Sequence, residues 1–421
     1  MRQMKDSGIE WIGKIPETWE VKRLKNLCTS NESMIADGDW IESPDISDEG
    51  IRYYTTGNIG DGVFKNQGNG FISESTFNKL NCTAVYPGDL VFSRLNNPIG
   101  RACIIPNNYP ICIVAVDNVI VRPDSKYDKR FLVYISMCPG YQETNMLIAR
   151  GTTMQRMSRS QLQNVDMPIP PLADQQRIAD YLDENCGEID SLIGLQEQMI
   201  EKLKAYKQSV ITEAVTKGLD PNAKLVPSGI DWIGEIPEHW DIIKVGFIFD
   251  NLDNLREPIS AEMRERNNPQ YDYYGASGVI DKIDHYNVDD KVLLIGEDGA
   301  NLVMRNLPLI YKAEGKFWVN NHAHILKPRK DDYDFMAHAL EACNYRDYIT
   351  GSAQPKLSQE NLSRVQLPVP PLSEQQAIAS YHDSKCSDID RLIALKQQKI
   401  ETLKDYKKSV IYEAVTGKTF L

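Results

Sequence analysis

Two stretches of eight residues, Gly151-Thr152-Thr153-Met154-Gln155-Arg156-Met157-Ser158 and Gly351-Ser352-Ala353-Gln354-Pro355-Lys356-Leu357-Ser358, stand 200 residues apart. Each combines a glycine, small side chains, a glutamine and a cation. That set suits contact with a polyanion, in which backbone amides and hydroxyls hold phosphates and longer side chains read base edges. Arginine forks onto guanine O6 and N7, and glutamine or asparagine onto adenine N6 and N7, each giving about 1–3 kcal/mol of discrimination. A capped turn leading into the next element accounts for the same residues equally well. The shared position favours backbone positioning, while Gln155-Arg156 against Pro355-Lys356 leaves room for different base preferences.

Further polar donors lie upstream of each stretch. Tyr54-Thr55-Thr56-Gly57-Asn58-Ile59 and Ser93-Arg94-Leu95-Asn96-Asn97 precede the first; Tyr273-Tyr274-Gly275-Ala276-Ser277-Gly278, Gly296-Glu297-Asp298-Gly299-Ala300-Asn301 and Asn320-Asn321-His322-Ala323-His324 precede the second. The candidate nucleic-acid contacts are therefore Asn58, Arg94, Asn96, Asn97, Thr152, Thr153, Gln155 and Arg156, then Tyr273, Ser277, Asn301, Asn320, Asn321, His322, Gln354 and Lys356. His322 and His324 are expected to share one face of a strand. No third ligand stands at a telling spacing, so no metal site is expected.

Enzyme motifs do not survive inspection. Gly417-Lys418-Thr419 ends like a phosphate-binding loop, but the position of its first glycine holds Tyr412, and the string closes a helix instead of opening one. Asp298 with Glu314-Gly315-Lys316 is a weak echo of a nuclease carboxylate–lysine arrangement, of a kind that chance supplies in a charged chain. No Asn-Pro-Pro-aromatic string and no glycine-rich cofactor loop marks an adenine methyltransferase. Chemistry is expected from partners, with no cofactor bound by this chain itself.

The elements that must position these residues are repeated. Ser7-Gly8-Ile9-Glu10-Trp11-Ile12-Gly13-Lys14-Ile15-Pro16-Glu17-Thr18-Trp19 returns at Ser228–Trp240, and Pro168-Ile169-Pro170-Pro171-Leu172 onward returns from Pro368, with 27 of 45 positions identical between Leu172–Thr216 and Leu372–Thr416. The inserts between the blocks, Glu20–Val165 and Asp241–Val365, barely resemble each other. In the first insert, Ala84–Tyr86, Leu90–Ser93, Ala102–Ile105 and Ile111–Val121 read as strand-forming runs. The repeated block reads as a long helix. Leu182, Ile189, Gln196, Leu203 and Val210, with Cys186, Ile193, Ile200, Lys207 and Ala214, make a heptad seam, and the second copy runs from His382 and Cys386 to Val410 and Ala414. Some 45 residues at about 1.5 Å each make a rod of roughly 65 Å. Such a seam packs on its own domain, pairs between chains, or pairs within the chain; a head-to-tail duplication favours antiparallel pairing within the chain. The order of blocks is then almost circular, since the tryptophan block missing after the second helix is the one that opens the chain. The tryptophans are expected to anchor that connection, with base stacking as the lesser alternative.

Bulk properties set limits. The 421 residues, 42% hydrophobic and 25% charged, suit two or more folded domains. No apolar run spans a membrane, no signal peptide is expected, and eight scattered cysteines read as reduced thiols in a cytoplasm. The net charge of −12 counts against nucleic acid unless the fold gathers the basic groups.

The Pro-x-Pro-Pro-Leu string, then Asp174-Gln175-Gln176-x-Ile178-Ala179 and Glu374-Gln375-Gln376-x-Ile378-Ala379, together with the Trp-Ile-Gly-x-Ile-Pro-Glu-x-Trp blocks, resemble the specificity subunit of type I restriction-modification systems over essentially the whole chain. The resemblance implies an α+β protein with two mixed α/β target recognition domains. Two long helices would join them, pairing as an antiparallel coiled coil about a pseudo-two-fold repeat. It divides the chain into residues 1–165 (first tryptophan block and recognition domain), 166–218 (first spacer helix), 219–365 (linker, second tryptophan block and recognition domain) and 366–421 (second spacer helix). It implies a non-catalytic, cytoplasmic subunit that reads a bipartite, asymmetric site in double-stranded DNA. Two modification (methyltransferase) and two restriction (motor-nuclease) subunits would be its partners. A DNA-targeting module fused to a nuclease-methyltransferase, or a coiled-coil protein scaffold, are the alternatives.

Overall fold

A computed structural model describes residues 3–95, 97–151, 154–260, 269–351 and 354–419. The chain divides into two compact units, residues 1–197 with 398–421, and residues 198–397. The division cuts across both long helices, Leu172–Lys217 and Leu372–Val415, each uninterrupted. Every seam position is buried or half-buried. Glycines in the left-handed region, Gly218 (φ 74°) and Gly417 (φ 70°), follow the two helix ends.

Each unit holds the opening half of one helix and the closing half of the other. In the first, Ile178, Leu182 and Cys186 share a core with Val410, Ile411, Ala414 and Val415, and Lys407 Nζ lies 2.7 Å from Asp190. Residue numbers rise along one helix as they fall along the other, so the pairing is antiparallel. In the second unit Ile211, Ala214 and Val215 share a core with Ile378 and Ala379, and Lys207 meets Asp390 at 2.7 Å. Lys207 and Lys407, at matching seam positions, thus reach carboxylates on the facing helix.

The tryptophan blocks form short hairpins, Met4–Asp6 with Lys14–Pro16 and Leu225–Pro227 with Glu235–Pro237. Trp19 is fully buried, edge-on to Phe131. Trp240 is buried too, and its Nε1 donates to Glu374 at 3.0 Å. Gly417 lies against Pro16 and Trp19 as Gly218 lies against Trp240 and Pro237. The opening tryptophan block therefore closes the end of the second long helix, completing the circular order within the first unit.

Each insert leaves and rejoins its frame on neighbouring antiparallel strands, Glu20–Arg23 with Asp166–Ile169 and Asp241–Lys244 with Gln366–Val369. One repeated glutamine ties insert to frame. Gln175 Oε1 accepts the Asp128 amide at 2.8 Å while its Nε2 donates to Pro170 O at 2.8 Å; Gln375 accepts the Asp332 amide at 2.7 Å and donates to Pro370 O at 2.9 Å. Asp128 and Asp332 cap the helices Lys129–Ser136 and Tyr333–Ala342, so the clamp sets where each insert begins to pack.

The first insert builds an antiparallel sheet in the order Met34–Asp37, Asn118–Arg122, Leu90–Ser93, Ala102–Ile104, beside a three-stranded sheet of Phe71–Ile72, Ile51–Tyr54 and Cys112–Val114. The run Ile111–Val121 is thus two strands, broken where Asp117 interrupts the apolar pattern, and Ala84–Tyr86 contributes a single bridge at Val85. The second insert is different: a six-stranded mixed sheet ordered Phe249–Asn251, Ala323–Pro328, Val288–Gly296, Ile310–Val319, Tyr271–Gly275, Gly278–Ile283. Among the described residues no helix is long and apolar enough to cross a membrane.

Candidate nucleic-acid interface

The two eight-residue stretches adopt one backbone design. Arg150 and Arg156 exchange amide hydrogen bonds at 2.9 Å, as Thr350 and Lys356 do at 2.9 and 2.8 Å. A Cβ at Gly151 or Gly351 would meet the carbonyl of Met154 or Gln354 at 2.4 or 2.5 Å, and both glycines have positive φ, so no other residue fits the turn. Ser158 and Ser358 then cap the short helices Arg159–Gln163 and Gln359–Arg364. The stretch is a capped turn, and it also holds Arg156 and Lys356 at the surface.

In the first unit a second loop runs alongside. Leu95 bridges Arg156, and the Met157 amide donates to Arg94 O at 3.1 Å. Arg156 Nη2 lies 2.7 Å from Asp117 Oδ1, and Arg159 lies 3.2 Å from Asp37. Arg94 sits beneath, 3.6 Å from Asp37 and 3.7 Å from Asp117; burial pushes its pKa down from the ordinary guanidinium value, and Asp37 opposes this. Arg101, also buried, donates to Leu95 O at 2.7 Å, Pro98 O at 3.0 Å and Thr56 O at 2.9 Å, tying the loops together.

In the second unit Asp298 takes the place of Leu95 as the bridge to Lys356, and the Leu357 amide donates to Glu297 O at 2.7 Å. Lys356 Nζ lies 3.0 Å from Glu297, whose other oxygen pairs with Arg256. Burial pushes the Glu297 carboxyl up, but Arg256 and Lys356 outweigh it and hold its pKa below the ordinary value. Arg256 continues to Asp253 at 3.4 Å. Asp253 is likewise held low, burial being overcome by the hydrogen bond and charge of His324. His324, fully buried, donates Nε2–H to Leu357 O at 2.8 Å and contacts Asp253 through Nδ1 at 2.6 Å. The cation at the surface is thus rooted in a buried charge network.

A family model described as the type I restriction modification DNA specificity domain matches residues 16–205 and 237–405. The chain belongs to that family. Among its relatives is a Methanocaldococcus jannaschii protein named as the MjaX type I restriction enzyme specificity subunit, 25% identical, with 97% of this chain and 95% of that one covered. The EcoBI specificity subunit of Escherichia coli is 29% identical over 42% of this chain and 36% of its own. The fold is shared with a solved chain from a study of complex assembly and conformational transition of the type I R-M system (TM-score 0.69, 16% identity, 95% and 98% covered). It is shared also with the HsdS subunit from Thermoanaerobacter tengcongensis (TM-score 0.50, 16% identity, 96% and 98% covered).

Within this specificity-domain frame the sequence-predicted contacts separate into surface and support. Arg156, Lys356, Gln354, Asn97, Ser277, Asn321 and His322 are exposed, and Gln155 is half-buried. Asn96, Thr152 and Thr153 lie outside the described residues. Five others are corrected from surface to support, because their polar atoms are buried or engaged by the protein's own backbone. Asn58 is buried, accepting the Thr55 amide at 2.9 Å and donating to Lys65 O and Gln67 O at 2.8 Å. Arg94 is buried as described. Tyr273 packs with Ile283 and Trp318. Asn320, buried, accepts the His322 amide at 2.8 Å, and Asn301 ties down Leu307 and Pro308. His322 and His324 do not share a strand face: His322 sits in the turn before the strand, 2.9 Å from Asp298, while His324 points inward. Among the described residues no group of three or more metal-ligating side chains is assembled.

Sequence reasoning missed Asp37, Asp117, Asp253 and Arg256. The one available signal was the pair Asp117-Asn118 inside an apolar run.

Proposed function

We propose that this chain is the non-catalytic DNA-reading subunit of a type I restriction-modification complex, with each insert reading one half of a bipartite, asymmetric site in double-stranded DNA. The observation that carries this is the surface cation held on the same backbone turn of both units, Arg156 in one and Lys356 in the other, each set among different neighbours. A shared turn supplies equivalent placement; different side chains supply different readings. No cofactor is needed by this chain, and the compartment is the cytoplasm, where the DNA is.

Exposed apolar side chains at matching repeat positions of the helices support two identical protein partners. Leu192, Leu195 and Tyr406 are exposed in the first unit; Leu392, Leu395 and Tyr206 are exposed in the second. There Tyr206 and Leu392 help line a shallow groove of about 360 Å³ with Met199 and Leu203. Two methyltransferase subunits on such patches, with two motor-nuclease subunits beyond them, is the assembly we infer.

The test is to express the chain with its methyltransferase partner and map the methylated adenines genome-wide. A two-part motif is expected, with one half changing when Glu20–Val165 is exchanged for the insert of a relative. A single uninterrupted motif, or both halves changing together, would overturn the reading.

A further inference from the structure

The two inserts share neither sequence nor sheet topology, yet both place the same three groups at the same point of the frame. An exposed cation (Arg156, Lys356) rests on a carboxylate (Asp117, Glu297), and that carboxylate is backed by a second, more buried arginine (Arg94, Arg256). In both the cation is the most exposed member, at 47% and 54%, with the carboxylate (23% and 12%) and the backing arginine (7% and 16%) well covered beneath it. The elements that supply the carboxylates differ. Asp117 comes from the turn before Asn118–Arg122, and Glu297 follows the end of Val288–Gly296.

Resting on the proposed DNA reading, we infer that Asp117 and Glu297 are specificity-determining positioning residues, which aim the surface cation at a base edge and mask its charge from the phosphate backbone. Arginine carries five N–H donors and the lysine ammonium three. Asp117 engages Nη2 of Arg156, and Glu297 engages the Lys356 ammonium, so donors remain for a base in each case. A fixed, partly neutralised cation binds weakly to a phosphate at an arbitrary register, because the carboxylate must first be displaced. It binds well where a guanine or other acceptor meets its free donors in line. The backing arginine holds the carboxylate in place. This also bears on the acidic net charge of −12: part of the excess acid sits where it lowers indiscriminate attraction to DNA.

The experiment uses the full chain with its methyltransferase partner, a duplex carrying the methylation-mapped target and a scrambled duplex of the same composition. Affinity is measured across a salt series for wild type, Asp117→Asn, Glu297→Gln and the double variant Glu297→Gln/Lys356→Gln. Each single variant is expected to bind the scrambled duplex about 3–10-fold more tightly at low salt. Its log–log salt slope should steepen by about one, as one more cation meets phosphate, and target-over-scrambled discrimination should fall. The double variant should return to the wild-type slope, since no cation is left to release. Wild-type slopes in the single variants would overturn the proposal while leaving the DNA reading intact, as would weaker binding to both duplexes with no change in slope. Absence of target preference in the wild-type complex would sink the DNA reading itself. Glu297→Asp, which keeps the charge, should behave as wild type and separates masking from simple misfolding.

Discussion

His382 packs edge-on to His338, ring centroids 4.6 Å apart, at the seam position that Leu182 fills in the first unit. Both rings are held far below the ordinary histidine range, at about 4: His338 by burial and then by Lys312, His382 by burial and then by His338. A lowered folded-state pKa means the unfolded chain takes up the proton first. Stability of the second unit is therefore unaffected above about pH 6.5, falls as pH drops from there toward 4, and levels off below. The shift corresponds to about 3 kcal/mol for the first ring to be protonated. His382→Leu, the residue of the other repeat, should raise the melting temperature of the second unit at pH 5 and flatten its pH dependence. An unchanged pH profile would show that another group carries the titration.

Gln375 offers a test of how insert is joined to frame. Replacing it with leucine keeps the volume but strands the Asp332 amide and the Pro370 carbonyl, each costing about 1–3 kcal/mol if left unpaired. Urea unfolding of Gln375→Leu should show a loss of about 2 kcal/mol or more, and Gln175→Leu should do the same through Asp128 and Pro170. A loss under about 0.5 kcal/mol would mean the clamp is incidental.

The contrast between these residues and the site shows what the sequence could reveal. The seam from Leu182 to Ala214 was legible because helical periodicity is local, and Lys207 was legible as a member of it, though neither Lys207 nor its counterpart Lys407 was legible as the partner of Asp390 or Asp190 on the facing helix. Gly151 and Gly351 were legible because only glycine tolerates their turn. Asn58 and Arg94 were misplaced to the surface because asparagine and arginine serve backbone carbonyls as readily as bases. Asp117 and Glu297 were not legible as partners of Arg156 and Lys356. Unrelated strands deliver them across the fold, and no spacing rule connects the pairs.

Arg156 and Lys356 should divide the recognition site between them. Arg156→Ala is expected to relax one or two base pairs of one half-site and leave the other half intact, at a cost of about 1–3 kcal/mol in target binding. Lys356→Ala should relax only the other half. Methylation mapping in cells carrying each variant reads the outcome directly; a uniform loss across both halves would assign these cations to phosphate contact alone.

Helix length provides the last test, and antiparallel pairing dictates how it must be made. Lengthening one helix alone slips the seam against its partner, so both must grow at the same level, between Ile193 and Ile200 and between Ile393 and Ile400. Seven residues keep the heptad phase and add about 10 Å. With one helical turn of DNA at about 34 Å for 10 base pairs, that is roughly three base pairs. The methylated motif should keep both half-site sequences while its unread gap widens by about that amount. Insertion of four residues instead breaks the heptad phase of the seam, although Lys207 with Asp390 and Lys407 with Asp190 each lie on one side of the insertion and stay together, and should weaken folding before it alters the gap. A gap that stays constant with the in-phase insertion would remove the helices as the ruler and place the spacing in the inserts or their partners.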